Sequence, residues 1–212
     1  MSVDPPMAFG DWVKSRLFDQ RTVLVSGELT TDLATAAAAE LMTLDGEGDE
    51  LVTVHLDCAG GSLEAAFTLI DVVDLIGVPV HTVAVGRVVG PAVGILAVAD
   101  RRLALPHAAI QLRESQSSYT GHATDVTGWA EQYQRQAAHF VARLARATGR
   151  DEAEVADDLR RGRHLGLGEA GRLTEAHELP RQLLAPGSEV VEAREHRSSV
   201  VGHLISDTIS HQ

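Results

Sequence analysis

The sequence predicts an α/β fold made of successive β-α-β units. Short β-branched or apolar segments that have the pattern of buried strands alternate with segments whose apolar residues recur at helical spacing. Short loops join them, as is typical of strands with a crossing helix between each pair. Of the 212 residues, 44% are hydrophobic, 23% are charged and only 4% are aromatic. We therefore expect a core of small and branched side chains.

The first half of the chain contains three predicted strands, each followed by a helix. We expect the strands at 22–25, 51–56 and 78–85, and the helices at 30–42, 62–76 and 91–99. Thr30–Asp32 and Ser62 are residue types that cap helix N-termini, and Pro91 suits a first helical turn. An acidic loop is expected over 45–50.

The second half contains the longest helical pattern of the chain. Two short strands are expected first, at 102–105 and 109–112, separated by Pro106. An apolar stripe then predicts a helix over Ala123–Thr148, and Gly149 supplies its C-terminal stop. A short helix over 151–161 and a turn or helix over 165–173 follow. The segment Pro180–Gln212 changes composition and is expected to be a tail.

The composition disfavours several classes of protein. The net charge of −12 argues against a nucleic-acid partner, which would need clustered Lys and Arg. The single cysteine, Cys58, excludes an internal disulfide and fits a reducing interior. No apolar run is long enough for a membrane span, and the N-terminus lacks a leader pattern. The ten histidines show no paired metal-ligand spacing. We expect a cytoplasmic protein with no metal and no cofactor.

Two glycine-rich turns between strand and helix carry the main functional signal. One is Asp57–Ser62 (D-C-A-G-G-S) and the other is Gly86–Gly94 (G-R-V-V-G-P-A-V-G). Two facing turns of this kind can cradle a developing oxyanion, with a nucleophile on the second turn. Here the second turn offers Gly90, which has no side chain, followed by Pro91, which has no backbone N–H. The sequence therefore predicts a hydrolase-like site without its chemistry.

The order of motifs resembles that of the ClpP family, the proteolytic subunits of the ATP-dependent Clp protease. The matching pieces are Phe18–Glu28, Asp57–Ser62, Ala104–Ala109, Gly121–Asp125 and Glu169–Leu173. The resemblance covers Trp12 to Leu179, and it implies a crotonase-like spiral of β-α-β units with a protruding handle helix over 123–148. We accordingly divide the chain into a short N-terminal segment (1–11), a ClpP-like domain (12–179) and a C-terminal tail (180–212).

The resemblance also implies a Ser–His–Asp triad, and this chain lacks all three residues. The family's serine falls on Gly90, its histidine on Arg113 and its aspartate on Gly162. Arginine is a fixed cation and cannot act as a general base near neutral pH. Gly60–Gly61 could still supply one oxyanion donor, but Pro91 removes the other. We expect a catalytically degenerate member, a pseudoprotease.

Family members form seven-subunit rings that stack in pairs into a tetradecamer, so the resemblance implies homomeric or mixed heptameric rings, with an active paralogue as a partner. Arg161 matches a ring-contact arginine of the family. The aromatic positions of the family's docking pocket for its ATPase fall on Thr53, His55 and Leu75. Since aromatic residues supply much of an interface's energy, we expect weak ATPase docking.

Two other functions stay open at the level of sequence. The chain could be an active ATP-dependent serine endopeptidase with a displaced triad, in which Ser115, Ser117 or Ser118, or the thiol of Cys58, replaces the missing nucleophile. It could instead bind an acyl-CoA or another small ligand at Gly60–Gly61, as other members of the crotonase-like fold do. A solvated loop and a buried structural cysteine are the plainer interpretations of these residues.

Overall fold

A computed structural model describes residues 9–115 and 123–165 of the chain. The helices in these ranges are α1 (Phe9–Asp19), α2 (Thr31–Glu47), α3 (Leu63–Leu75), α4 (Ala92–Val98), α5 (Ala123–Thr148) and α6 (Glu152–Arg161). The strands are β1 (Thr22–Leu29), β2 (Val52–Gly61), β3 (Val80–Val89), β4 (Arg101–Ala104), β5 (Ala109–Gln111) and β6 (His164–Leu165). The predicted α/β fold of successive β-α-β units is confirmed.

The strands form one sheet that branches at β3. β1, β2 and β3 pair in parallel, with α2 and α3 as the crossing helices. The first part of β3, His81–Ala84, pairs with β4, and its last part, Arg87–Val89, pairs with β5. β6 adds to β5 in antiparallel orientation. The ten-residue β3 is therefore paired along the same edge with two short strands, first β4 and then β5, and Pro106 lies in the turn between these two strands.

The helices cover one face of the sheet through small and branched side chains. Along β1 and β2, buried and half-buried residues alternate, as expected for strands with one covered face. A side-chain carbon at Gly94 of α4 would overlap Phe140 of α5 and Ile70 of α3. Glycine at this position lets the side chains of Phe140 and Ile70 pack directly against the α4 backbone, which anchors the second half of α5 in the core.

The long helix has the predicted bounds, but its two halves differ. Phe140 and Leu144 are buried, with 3% and 2% exposure. Residues 125–128 are exposed, and Val126 is 45% exposed. A helix of 26 residues is about 39 Å long. Its first half therefore extends along solvent while its second half anchors it in the core.

Several predicted element ends are wrong. β1 and β2 run on to Leu29 and Gly61, beyond the predicted ends at residues 25 and 56. α2 continues to Glu47, so residues 45–47 of the predicted acidic loop are helical. Arg21 favours this extension, since its guanidinium donates hydrogen bonds to the carbonyls of Leu44 (2.9 Å) and Gly48 (3.3 Å), which end the helix.

Other predictions lie wholly or partly outside the described residues. α1 and β6 were not predicted. α1 crosses residue 11, the proposed end of the N-terminal segment, and that boundary stays a prediction. The turn or helix expected over 165–173 also stays a prediction, because the structure describes only its first residue, Leu165. The tail 180–212 lies outside the described residues altogether. Across the described ranges, no helix has the length and apolar character needed to cross a bilayer.

Candidate functional site

The two glycine-rich turns are joined directly by Asp57. Its carboxylate Oδ1 accepts a hydrogen bond from the backbone N–H of Arg87 (2.8 Å). A side-chain carbon at Gly86 would overlap this carboxylate. The aspartate of the first motif and the first glycine of the second therefore form a structural contact between the ends of two neighbouring strands.

The first turn is fixed by its packing against β1. Gly61 has φ +146°, and a side-chain carbon there would overlap the backbone and side chain of Leu29. The N–H of Ser62 donates to the Leu29 carbonyl (3.0 Å). The hydroxyl of Ser62 accepts from the N–H of Ala65 (3.1 Å), which confirms the predicted N-cap of α3. This serine is thus occupied in holding the start of a helix.

The second turn presents Gly90 in a left-handed conformation, with φ +62°. Its N–H donates to the carbonyl of Gln111 (3.0 Å), and a side-chain carbon would lie 3.1 Å from the carbonyl oxygen of Arg113. Pro91 follows at the N-cap of α4 and makes no side-chain cap. Because proline lacks an N–H, the residue after Gly90 can donate nothing from its backbone.

Of the three positions aligned with the triad, the structure brings two together. The Arg113 backbone lies against Gly90, and its side chain is exposed. Gly162 instead ends α6 in a left-handed conformation, with φ +66°. Its carbonyl accepts from the Gln111 side-chain amide (2.9 Å), so it is held against β5. Gly162 is therefore linked to the site through β5, the strand that precedes Arg113, and does not line the cavity between the two turns.

A cavity of about 310 Å³ occupies the place where the two turns meet. Its wall includes both glycine motifs and the segment after β5: Gly60, Gly61, Gly90, Pro91, Arg113 and Ser115. Glu28 and Glu114 also line it. No histidine of the described residues does so. The cavity therefore offers one guanidinium, two carboxylates and a hydroxyl, without an imidazole from these ranges.

The proposed substitute nucleophiles have other roles where they are described. The Ser115 hydroxyl donates to the Gly61 carbonyl (2.9 Å), and the Ser115 carbonyl accepts from the hydroxyl of Tyr133. Burial, with a smaller contribution from the Asp57 carboxylate, raises the pKa of the Cys58 thiol to about 11. Cys58 is therefore a neutral thiol within the core rather than a nucleophile. Ser117 and Ser118 lie outside the described residues.

An ion-pair network centred on Asp158 supports this side of the site, and sequence reasoning missed it. The Asp158 carboxylate accepts hydrogen bonds from Arg150 (2.6 Å) and Arg163 (3.0 Å). Burial opposes its ionisation, but these two guanidinium groups outweigh that effect and lower the pKa of Asp158. The only sign of this network in the sequence is that the acidic Asp158 near the end of α6 is followed, after Gly162, by the basic Arg163.

The network connects α6 to the segment that carries Arg113. The N–H of Leu112 donates to the Arg163 carbonyl (2.8 Å), and the N–H of Glu114 donates to the Leu159 carbonyl (3.1 Å). Both neighbours of Arg113 in sequence are therefore hydrogen-bonded to the end of α6. Asp158 holds that end in place through Arg163, so it positions Arg113 without contacting the cavity.

The positions assigned to partner contacts lie away from the cavity. Thr53 and His55 are half-buried on β2, and burial lowers the pKa of His55. Leu75, the last residue of α3, is 71% exposed. The side chain of Arg161 is 75% exposed and pairs with Asp157 (2.8 Å). Among the residues described, no group of three or more His, Cys, Asp or Glu could hold a metal ion.

Comparison with known proteins gives one consistent family. The family model described as Clp protease matches residues 9–173. ATP-dependent Clp protease proteolytic subunit 1 of Nocardia farcinica is 29% identical over 154 residues, which cover 71% of this chain and 78% of that protein. Proteolytic subunit 3 of Rhodococcus jostii is 29% identical over 171 residues, 78% of this chain and 84% of its own. Proteolytic subunit 2 of Treponema denticola is 25% identical over 151 residues, 70% and 76% of the two chains.

Proposed function

Because the chain belongs to the Clp protease family, we propose that it is a non-catalytic, ClpP-like subunit of a Clp-type ring assembly. The single observation that carries the proposal is the cavity where Gly90 and Pro91 face Arg113. A peptidase of this kind needs a hydroxyl nucleophile there, an imidazole beside it and backbone donors for the oxyanion. In this cavity Gly90 stands in place of the nucleophile, Arg113 in place of the imidazole, and Pro91, which has no N–H, in place of a backbone donor.

Each replacement removes a separate part of the reaction. Gly90 cannot attack a carbonyl, and Arg113 cannot accept the proton that a nucleophile must lose. Pro91 withdraws a donor that is worth a factor of about 10² to 10³ in rate in enzymes that depend on such a donor. Gly162 cannot orient a base through a carboxylate. Restoring one residue would therefore leave the others missing.

The fold supports a role in assembly. The exposed first half of α5 occupies the handle position, through which we propose that two rings stack. Arg161 is exposed and available to an acidic group on a neighbouring subunit, in competition with Asp157. We propose heptameric rings, homomeric or mixed with an active paralogue, in a cytoplasmic double ring. In the mixed case this subunit changes the number of active sites in the chamber.

Docking of a Clp ATPase would fall mainly to the paralogue. Thr53 and His55 place a hydroxyl and an imidazole where we propose that active subunits present aromatic rings. Leu75 is exposed and apolar, so it preserves one contact of such a pocket. In a mixed double ring, the ATPase would accordingly prefer the face formed by the active paralogue.

The two alternatives gain no specific observation in their favour. A displaced triad needs a serine beside a base, yet Ser115 donates its hydroxyl to a backbone carbonyl. An acyl-CoA site at Gly60–Gly61 would explain the glycines by close approach of a ligand. The contact between Gly61 and Leu29 already explains one of them through packing.

Native mass spectrometry tests the proposal. The chain should be analysed alone and after co-expression with an active ClpP paralogue from the same genome. We expect rings of seven, or double rings of fourteen, that contain this subunit in at least one of the two preparations. Particles that consist only of the monomer in both preparations would contradict the assembly role.

A further inference from the structure

We propose that the vacated cavity binds short peptides that have a free α-ammonium group, a free α-carboxylate and an apolar last side chain, and that it does not cleave them. This inference rests on the proposed function, because active subunits in the same chamber would generate such peptides. The inference assigns a ligand to a cavity that, on the proposed function, has no catalytic role.

The first observation is that the polar cavity adjoins an apolar one. The second cavity has a volume of about 270 Å³ and lies between α5, α6 and the segment after β5. The two cavities share Pro91, Arg113, Glu114 and Ser115 in their walls. The two cavities are therefore immediate neighbours, separated by at most the side chains of these shared residues.

The second cavity suits an aliphatic or aromatic side chain. Its apolar wall includes Leu63, Tyr133, Ala137, Phe140, Val141 and Leu159. An apolar cavity of about 150 Å³ is enough to bind benzene. A volume of about 270 Å³ therefore accommodates a leucine or phenylalanine side chain. Burial of such a side chain would supply the apolar part of the binding energy.

Arg113 supplies the group that distinguishes a chain end from a chain interior. It lines both cavities, and its side chain forms no ion pair with any residue of the described ranges. A guanidinium presents paired donors that match a carboxylate. A peptide bond within a longer chain is uncharged and cannot form an ion pair with this guanidinium. The residue that ends catalysis at this site thus favours a free carboxy-terminus.

Glu28 and Glu114 exclude simple anions and fatty acids. Both glutamates line the polar cavity, so a purely anionic ligand would meet two carboxylates for one guanidinium. A short peptide also carries an α-ammonium group, which complements these carboxylates. A long polypeptide has that group far from its carboxy-terminus. The mixed charge of the cavity therefore selects short zwitterionic peptides.

Isothermal titration calorimetry of the full chain with the tripeptide Ala-Ala-Leu tests this inference. Three forms should be compared: the free peptide, its C-terminal amide and its N-acetyl derivative. We expect each modification to weaken binding about tenfold, since each removes one charge-assisted interaction. Equal affinity of the amide and the free acid would overturn the assigned role of the carboxylate, and with it the proposal.

A pair of variants separates the site from general electrostatics. Arg113→Gln should weaken binding of the free peptide about tenfold and leave its amide unaffected. Arg113 is exposed, so circular dichroism should show an unchanged fold. Arg101→Gln is the matched control, because Arg101 is an exposed arginine on β4 that lines neither cavity. An equal loss in both variants would refute the site.

The same samples distinguish failure of this inference from failure of the proposed function. Mass spectrometry of the peptide after titration should recover it intact. Intact peptide that does not bind would overturn the inference and leave the non-catalytic role in place. Peptide cleaved by the wild-type chain would overturn the non-catalytic role, and with it the claim that the ligand is held uncut.

Discussion

The two glycine-rich turns lie side by side in this protein, yet different demands fix their residues. In the first turn, Asp57, Gly61 and Ser62 each have a partner within the fold: the Arg87 amide, Leu29 and the start of α3. In the second turn, Gly90 has a single close contact for an added carbon, the Arg113 carbonyl. The first turn is determined by the architecture, whereas Gly90 of the second turn occupies the position that we propose once belonged to the nucleophile.

On the proposed account, this difference explains how a member of a protease family can lack catalytic residues and remain folded. We propose that Gly90 and Arg113 replace a nucleophile and a base, which are selected for reactivity rather than packing, so the replacement leaves few packing contacts unmade. Gly61 is determined by its steric contact with Leu29, and Asp57 by its hydrogen bond to the Arg87 amide. These contacts are needed for folding whether or not the protein is active. The comparison predicts a large stability effect at Gly61 of the first turn and a small one at Gly90 of the second.

The largest effect is expected at Gly61. Gly61→Ala should lower the free energy of unfolding by about 4 kcal/mol, because the added carbon overlaps Leu29 and the backbone has a positive φ. Urea denaturation measures the change. Gly27→Ala is the matched control: Gly27 has φ +104° but no atom within 4 Å of an added carbon, so strain alone should cost about 1 kcal/mol. Equal costs in the two variants would contradict the steric account of the first turn.

The network beneath Arg113 comes next. Asp158→Asn should cost about 2 kcal/mol at pH 7, below the range for a fully buried pair because the Arg163 side chain is 40% exposed. Since the pKa of Asp158 is lowered from 3.8, its stabilisation is present above pH 3.8 and is lost as the pH falls through the lower folded-state pKa. The variant should lack that acid-dependent loss in urea titrations.

Asp157→Asn is the control for this network. Asp157 pairs with Arg160 and Arg161, whose side chains are 61% and 75% exposed, so the change should cost no more than about 0.5 kcal/mol. If Asp157→Asn destabilised the protein as much as Asp158→Asn, the special role of the Asp158 network would be refuted.

A smaller, pH-dependent effect is expected at His81. Burial, together with the charge of Arg101 and against that of Asp100, lowers the pKa of His81 from 6.5. The unfolded chain therefore takes up a proton first, and stability should fall as the pH drops below 6.5, by at most about 1.4 kcal/mol per pH unit. His81→Phe should reduce this slope between pH 6.5 and 5, and His55, whose pKa burial also lowers, should contribute part of the slope that is left. An unchanged slope would mean that His81 does not control it.

The smallest effect is expected at Gly90, where we propose that the nucleophile is missing. Gly90→Ser should cost about 1 kcal/mol, because its left-handed φ disfavours a side chain. The new serine should not react with a fluorophosphonate, since no described histidine lines the cavity and Pro91 offers no donor. Gel fluorescence checks the labelling. A labelled Gly90→Ser protein would mean that the rest of the machinery is present.

The sequence predicted those elements whose periodicity is strong and local. The apolar stripe of α5 set both of its ends, and Ser62 correctly marked the start of α3. The ends of β1 and β2 were wrong because Ser26–Glu28 and Asp57–Gly61 lack apolar alternation, although Ser26 pairs with Asp57 and Gly27 with Cys58 along the sheet. A neighbouring strand, rather than local sequence, keeps these residues extended.

The site was predictable where it depends on sequence motifs and unpredictable where it depends on tertiary contacts. The meeting of Gly60–Gly61, Gly90 and Arg113 followed from the resemblance, and the cavity brings these residues together. The Asp158 network could not be foreseen, because Arg150 and Arg163 approach it only after the turn before α6 and the bend at Gly162. The role of Asp57 likewise requires two adjacent strand ends.

The central claim is that this chain cannot form an acyl-enzyme, and activity-based labelling tests it most directly. A ring containing the chain and an active ClpP paralogue should be treated with a fluorophosphonate, and the labelled peptides should be identified by mass spectrometry. The account predicts that the label is confined to the paralogue's serine. A label on any serine of this chain would contradict it.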